Sequence, residues 1–227
     1  MNKSFKHLYT DDYFQGRGKN DIQRIISFNQ EKEFMQKYVD FNGRIFDVGC
    51  STGEFLDAIT WNGEKFGSEI SDLAITLAEK SGISFEKELR EFKNSLDVVV
   101  FRGTIQHIPD PFVQLMDAYK ALKPGGYIFF LATPNADSPV YKISGTLSFL
   151  VPELNFYIPS SSTLINACKN FGFTPKEIEK PYLKSPYRKL FVDHLKFILL
   201  LVGFKGLKFS FWGSMMNICL QKPRIDE

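Results

Sequence analysis

Short apolar runs alternate with segments of helical periodicity along most of this chain. A short apolar run bounded by turn residues predicts a strand, and apolar residues three and four apart predict a helix. Leu96 to Phe101 is apolar except at Asp97, which is typical of a strand in a parallel sheet covered on both faces. The other predicted strands lie near Ile45–Phe46, Lys65–Ile70, Ile83–Phe85, Tyr127–Ala132, Phe173–Tyr182 and Trp212–Gln221. The pattern predicts an α/β fold with a seven-stranded, mostly parallel sheet and helices on both faces. The last strand is predicted to be antiparallel, paired with the sixth, and at the edge of the sheet.

The alternation also predicts how the chain is divided. Residues 1–42 are predicted to form an N-terminal arm and a helix that act as a lid, and residues 43–227 a single domain with insertions at about 135–160 and 183–208. The second insertion is apolar nearly all round and is interspersed with basic residues. Burial against the body of the protein, a homodimer contact, or a peripheral membrane contact through residues 188–208 would each account for it.

One turn carries the strongest chemical signal. After the first predicted strand, Asp47 is followed by Gly49, Ser51 and Gly53, and a helical pattern then begins. Glycines at such a turn let the backbone lie close to a ligand. Glu69, at the end of the second predicted strand, can accept hydrogen bonds from both hydroxyls of a ribose. This combination predicts a nucleoside-containing cofactor.

Two other interpretations of the same turn are open. Gly49 to Gly53 also fits the nucleophile elbow of hydrolases, with Ser51 as the nucleophile, although the turn here follows what is predicted to be the first strand. A dinucleotide site for NAD would need a third glycine that this turn lacks.

The turn, Glu69 and the segment Leu122 to Gly126 together resemble the class I S-adenosylmethionine-dependent methyltransferases, over about Tyr13 to Phe173. The resemblance implies a Rossmann-like fold and S-adenosylmethionine as the cofactor. Ser51 stands where that family usually has its middle glycine. By resemblance, the cofactor-binding residues are Tyr13, Phe14, Arg17, Asp47, Gly49, Cys50, Ser51, Gly53, Glu69, Ile70, Glu88, Leu89, Arg102 and Gly103.

His107 follows the fourth predicted strand, at the edge of the sheet where ligands of open α/β sheets bind, and is the predicted catalytic base. The expected reaction is methyl transfer to a hydroxyl or amine of a small molecule. Similar chains also suggest a sugar or surface-polysaccharide precursor as the acceptor. A cofactor-binding subunit without activity and an NAD-dependent oxidoreductase are the alternatives.

Composition narrows the partners. A net charge of +2 without a basic stripe argues against nucleic acid. Three widely spaced cysteines in apolar surroundings predict neither a disulfide framework nor a metal cluster, and fit a cytoplasmic location. Some quinone-pathway members of the family that this chain resembles bind a metal through an acidic pair before the histidine. Here Arg102, Thr104 and Gln106 occupy that region, so no metal is expected.

Overall fold

The structure is a computed structural model that describes residues 22–224. Its centre is a seven-stranded sheet in the order β3-β2-β1-β4-β5-β7-β6. The first five strands are parallel to one another, and β7 is antiparallel to both β5 and β6. The strands are β1 (Ile45–Val48), β2 (Lys65–Ser68), β3 (Ile83–Ser84), β4 (Leu96–Arg102), β5 (Leu122–Pro134), β6 (Thr174–Glu179) and β7 (Met215–Gln221). The predicted seven-stranded α/β fold with an antiparallel last strand is confirmed.

Helices cover both faces of this sheet, as predicted. They are α1 (Ile22–Gln36), α2 (Glu54–Ala58), α3 (Asp72–Lys80), α4 (Pro111–Ala121), α5 (Pro139–Ser144), α6 (Ser161–Asn170) and α7 (Leu190–Leu201), with short 3₁₀ turns at Leu89–Glu91, Ile105–His107 and Pro152–Leu154. Side chains from α1, α2 and α3 pack on one face of the sheet, and side chains from α4 and α6 pack on the other.

β4 shows how the sheet separates the two halves of the core. Val98 and Val100 are buried in the cluster beneath α1, whereas Val99 and Phe101 are buried in the cluster beneath α4. Successive side chains of a strand point to opposite faces, so a strand covered on both sides must be apolar almost throughout. This is the physical reason for the uninterrupted apolar run in the sequence.

The predicted pairing of the last strand with the sixth is confirmed, but its predicted position at the edge of the sheet is wrong. β7 does pair with β6, but it also lies against β5 and therefore stands inside the sheet, where Ile218, Cys219 and Leu220 are fully buried. β6 is the edge strand instead. It contains the charged residues Lys176, Glu177 and Glu179 and also Pro175, which are features that discourage pairing with other molecules.

The helix after β1 is shorter than its apolar pattern suggests. It ends at Ala58, and Thr60 just beyond it has a positive φ of 57°, which a helix does not accommodate. Gly63 follows, and a Cβ there would lie 1.8 Å from the carbonyl oxygen of Gly43. Only glycine allows the two backbones to approach so closely.

Candidate functional site

A cleft of about 350 Å³ opens at the carboxyl ends of β1, β2, β4 and β5. β1 lies between β2 on one side and β4 on the other, so the strand order changes direction at this point of the sheet. Open α/β sheets bind ligands at such a switch point. The predicted site residues that line it are Asp47, Gly49, Cys50, Ser51, Glu69, Ile70, Arg102, Gly103 and His107. The structure therefore brings together residues separated by up to 60 positions in the chain.

Backbone geometry fixes the turn after β1. Gly49, Ser51 and Gly53 have positive φ angles of 73°, 52° and 83°. The amides of Gly49 and Cys50 both donate to the carbonyl oxygen of Ser68, at 2.8 and 3.1 Å. A Cβ on Gly49 would lie 2.6 Å from Cγ2 of Thr104, so this glycine is required both by its conformation and by its neighbour on the β4 side. Gly53 does not line the cleft and instead starts α2.

Ser51 is unusual in two respects. It adopts a left-handed conformation that a side chain disfavours, and it does so in place of the glycine expected from the resemblance. Its Oγ is buried and has no hydrogen-bond partner among the residues that the structure describes. A buried hydroxyl without a partner is costly unless a ligand supplies one.

Asp47 is the most deeply buried acid of the cleft. Its Oδ1 also lacks a partner within residues 22–224. Burial raises the pKa of Asp47 to about 7, against a lowering effect of Arg102 and with a further raising effect of Glu69 and Glu31. Near neutral pH, the carboxyl group is thus balanced between its two protonation states, and a cation beside it would favour the ionised form.

Glu69 joins the cleft to a second one. Its Oε2 accepts from the amide of Ser51 at 3.0 Å, and its Oε1 accepts from the amides of Ile70 and Ser71 at 2.6 and 3.2 Å. The second cleft, of about 470 Å³, shares Glu69 and Ile70 with the first and is lined by Glu88 and Leu89. The predicted residues therefore form two adjoining compartments with Glu69 at their boundary.

A buried ion pair ties α1 to the cleft. Nε and one terminal nitrogen of Arg102 donate to the two carboxylate oxygens of Glu31, at 2.6 and 3.1 Å. The guanidinium carbon lies 4.4 Å from the ring centre of Phe28 and 5.5 Å from that of Phe55. A planar guanidinium suits both the bidentate contact and the aromatic faces. Arg102 is held rigidly at the wall of the cleft.

The far wall comes from the insertion after β5. Phe149, Leu150, Val151 and Leu154 give it an apolar surface. Two amide side chains also line the cleft: Gln106, which is buried, and Asn155.

The side-chain nitrogen of each amide donates a hydrogen bond within the protein. Nε2 of Gln106 donates to the carbonyl oxygen of Gly103 at 2.9 Å, and Nδ2 of Asn155 donates to that of Val151 at 2.6 Å. Their carbonyl oxygens, Oε1 and Oδ1, are buried without a partner within residues 22–224. Both can therefore accept a hydrogen bond from a ligand.

His107 is more constrained than the sequence suggests. Its Nδ1 lies 2.6 Å from the carbonyl oxygen of Leu154, and its Nε2 lies 3.1 Å from Nε2 of Gln106. A proton on Nδ1 satisfies both contacts, since the ring then donates to Leu154 and accepts from the Gln106 amide. Both ring nitrogens already have partners.

Several members of the site left no signal in the sequence. Glu31 occupies a polar position of a helix, and Gln106 and Asn155 belong to no motif. Three residues predicted to bind the cofactor, Tyr13, Phe14 and Arg17, lie outside the described residues, as does the first half of the predicted lid, residues 1–21. Their role stays a prediction.

Comparison with known proteins shows which family this chain belongs to. A family model described as a methyltransferase domain matches residues 17–178. The demethylmenaquinone methyltransferase of Staphylococcus aureus is 28% identical over 146 residues, which is 56% of this chain and 61% of that protein. The chain thus spans less than two thirds of the curated relatives that it matches.

Two solved structures share the fold. An S-adenosylmethionine-dependent methyltransferase from Thermotoga maritima, described as a possible histamine N-methyltransferase, aligns with a TM-score of 0.64 and 19% identity over 96% of this chain and 97% of that one. Phosphoethanolamine N-methyltransferase 2 from Haemonchus contortus, solved with S-adenosyl-L-methionine, gives a TM-score of 0.58 and 19% identity over 86% of this chain and 52% of that one. The predicted Rossmann-like architecture is confirmed.

Proposed function

Because the chain belongs to the family of S-adenosylmethionine-dependent methyltransferases, we propose that it moves a methyl group from this cofactor to a hydroxyl or amine of a small molecule. The choice of acceptor rests on the amide oxygens of Gln106 and Asn155, which have no hydrogen-bond partner in the part of the chain that the structure describes. Both residues line the cleft, and both oxygens can only accept hydrogen bonds. An acceptor group that carries its own N–H or O–H would satisfy them.

The residues present fit the cofactor. Asp47 and Ser51 each have a buried oxygen that lacks a partner among the described residues, as expected beside the ammonium group of the methionine portion. We assign Asp47, Gly49, Cys50 and Ser51 to that portion, with Gly53 shaping the turn. Glu69 at the boundary of the two clefts suits the ribose hydroxyls, and the second cleft, with Ile70, Glu88 and Leu89, suits the adenine.

The cofactor supplies a methyl group already activated on a sulfonium, so the protein's task is mainly to orient the acceptor. Arg102 and Gly103 lie at the end of β4, on the side of the cleft toward the amide pair. The apolar side chains of Phe149, Leu150, Val151 and Leu154 form another wall of the cleft. His107 acts as a base in this proposal only if Nε2 is released by the Gln106 amide.

Cofactor binding is tested by calorimetry with S-adenosylmethionine, S-adenosylhomocysteine and NAD. The first two should bind, and Glu69→Ala should weaken them at least about tenfold, since ribose hydroxyls lose a charged acceptor. Glu79→Ala, an exposed acid on α3, is the matched control and should change nothing. Binding of NAD in preference to S-adenosylmethionine would reject the methyltransferase proposal in favour of an oxidoreductase.

Methyl transfer is tested with a cofactor labelled on its methyl group and a panel of acceptors. The panel includes demethylmenaquinone, histamine and phosphoethanolamine, which the names of the similar proteins suggest, and nucleotide sugars for the predicted polysaccharide precursor. Gln106→Leu should raise KM for the acceptor at least about tenfold and leave cofactor affinity unchanged, because a hydrogen bond to the acceptor is lost.

Gln36→Leu, an exposed change on α1, is the control for that variant and should leave both constants unchanged. Cofactor binding without labelled product from any acceptor would favour the alternative of a cofactor-binding subunit without activity. A KM unaffected in Gln106→Leu would remove the amide oxygens from acceptor recognition.

A further inference from the structure

The exposed face of α7 is apolar along its length. Phe191, Leu195, Ile198 and Val202 follow one another at helical spacing, with 88%, 58%, 57% and 67% of their surfaces exposed. Leu201 and Phe204 extend the same exposed surface. A contiguous apolar surface of this kind on a folded domain marks an interaction site.

The opposite face of α7 anchors it firmly, so the exposed face cannot turn inward. Phe197 stacks on Phe211 with ring centres 4.1 Å apart, and Leu200 is buried beside Phe209. The buried carboxylate of Asp193 accepts from the hydroxyl of Tyr182 at 3.2 Å and from the amide of Lys189 at 2.7 Å. The helix is therefore fixed with one side packed and the other presented to the surroundings.

Positive charge is concentrated in the segment that carries this face. Residues 184–208 contain six basic residues and one acid, the buried Asp193, while the rest of the chain contains 22 basic and 25 acidic residues. The basic residues are Lys184, Arg188, Lys189, Lys196, Lys205 and Lys208. One segment thus carries a positive charge on a protein whose remaining residues are negative overall.

Two of these cations lie where they destabilise the helix. Arg188 and Lys189 stand at the N-terminus of α7, where the helix dipole favours anions. The last turn, where cations would stabilise the helix, contains none. Helix stability does not explain this arrangement, whereas attraction to an external anionic surface does.

We propose that α7 docks this chain on an anionic lipid bilayer, with Phe191, Leu195, Ile198 and Val202 inserted among the acyl chains and the surrounding lysines at the headgroups. The helix has 12 residues and is about 18 Å long at 1.5 Å per residue, so it lies along the interface. Within residues 22–224, no helix has the length and hydropathy needed to span a bilayer.

A second copy of the chain fits this surface less well. A two-fold dimer places the same patch of both subunits face to face, and would bring the basic residues of one copy against those of the other. Anionic headgroups match the charge and acyl chains match the apolar side chains, so a bilayer satisfies both features at once.

The docking helix is also connected to the cleft. Leu150, which lines the cleft, belongs to the same apolar cluster as Leu200 and Phe197 of α7. Docking would therefore hold the apolar wall of the cleft near the membrane surface, where an amphiphilic acceptor could be delivered. The proposal concerns the surface itself and stands whether or not the acceptor is a lipid.

Vesicle flotation with the full chain tests the proposal. The protein should float with vesicles that contain phosphatidylglycerol, much less with pure phosphatidylcholine, and should be released by high salt because surface charge attraction is screened. Phe191→Ser/Ile198→Ser and Arg188→Glu/Lys189→Glu should each reduce partitioning at least about tenfold. The charge reversal favours the helix dipole but removes the hydrogen bond from Arg188 to the carbonyl oxygen of Leu183, so circular dichroism must show that this variant is folded.

Matched controls are Phe112→Ser, an apolar residue on α4 that is as exposed as Ile198, and Lys169→Glu on α6. Both should float like the wild type. Failure of the wild type to float would overturn the proposal, as would equal flotation with neutral and anionic vesicles. Light scattering adds a third test: a wild-type dimer that becomes monomeric in Phe191→Ser/Ile198→Ser would show that the patch is a self-interface.

Discussion

Replacing Glu31 by alanine should destabilise the protein far more than a typical surface change. The substitution removes the only carboxylate that pairs with Arg102 in the described residues, and leaves the guanidinium at the wall of the cleft. The side chains of Glu31 and Arg102 are only 6% and 19% exposed, so water replaces the lost partner poorly.

The magnitude follows from that burial. Removing one member of a buried ion pair costs about 3–5 kcal/mol, because the other charge stays buried. Phe28, Phe55 and the nearby Asp47 still attract the guanidinium, which favours the lower end of the range. We expect a loss of about 3 kcal/mol in the free energy of unfolding, or roughly 6–12 °C in Tm for a domain of this size.

Urea denaturation followed by circular dichroism measures the effect. Lys37→Ala breaks a solvent-exposed pair with Glu177 and should cost less than about 1 kcal/mol, which makes it the control. A double-mutant cycle with Arg102→Ala should give a coupling of at least about 2 kcal/mol. A loss below about 1 kcal/mol in Glu31→Ala would refute the interpretation of this pair as a buried anchor.

Three further predictions concern the turn after β1. Asp47→Asn should gain stability relative to the wild type as pH rises through about 7, and the two proteins should differ least below about pH 4. The pKa of this carboxyl is about 7 in the folded protein and near 3.8 in the unfolded chain, so the wild type loses stability when the carboxyl ionises. Urea denaturation at several pH values would detect the difference. Ser51→Gly should keep or raise Tm, and Ser51→Val lower the unfolding free energy by about 2 kcal/mol, because φ is 52°; equal losses would contradict this. Gly49→Ala should cost at least about 2 kcal/mol and be partly rescued by Thr104→Ala, since the new methyl meets Thr104; absence of rescue in thermal melts would argue against the clash.

Features encoded in local sequence patterns were predictable, whereas features that depend on contacts between distant residues were not. The turn from Asp47 to Gly53 and the acid Glu69 were predictable because a strand end, glycines and an acid at a fixed distance reflect local backbone needs. The pair between Glu31 and Arg102 was not, because it depends on how α1 docks on the sheet across 71 positions.

The same limit applies to β7 and to Asn155. The apolar run near residue 218 predicts a strand but does not state which neighbours it has, and either β5 or β6 would bury it. Asn155 sits in an irregular segment after β5 whose path is set by contacts with the 3₁₀ turn at Ile105–His107, where the amide of Phe156 donates to the carbonyl oxygen of Gln106. No periodicity marks such a segment.

The position of β7 between β5 and β6 also constrains how the protein is made. β6 leaves the ribosome before β7, yet within the described sheet β7 is its only partner. Until β7 is synthesised, the nascent chain therefore exposes two unpaired strand edges, one on β5 and one on β6. The last third of the sheet assembles out of chain order, and slow or interrupted translation before residue 215 should be the stage at which newly made molecules aggregate or require a chaperone.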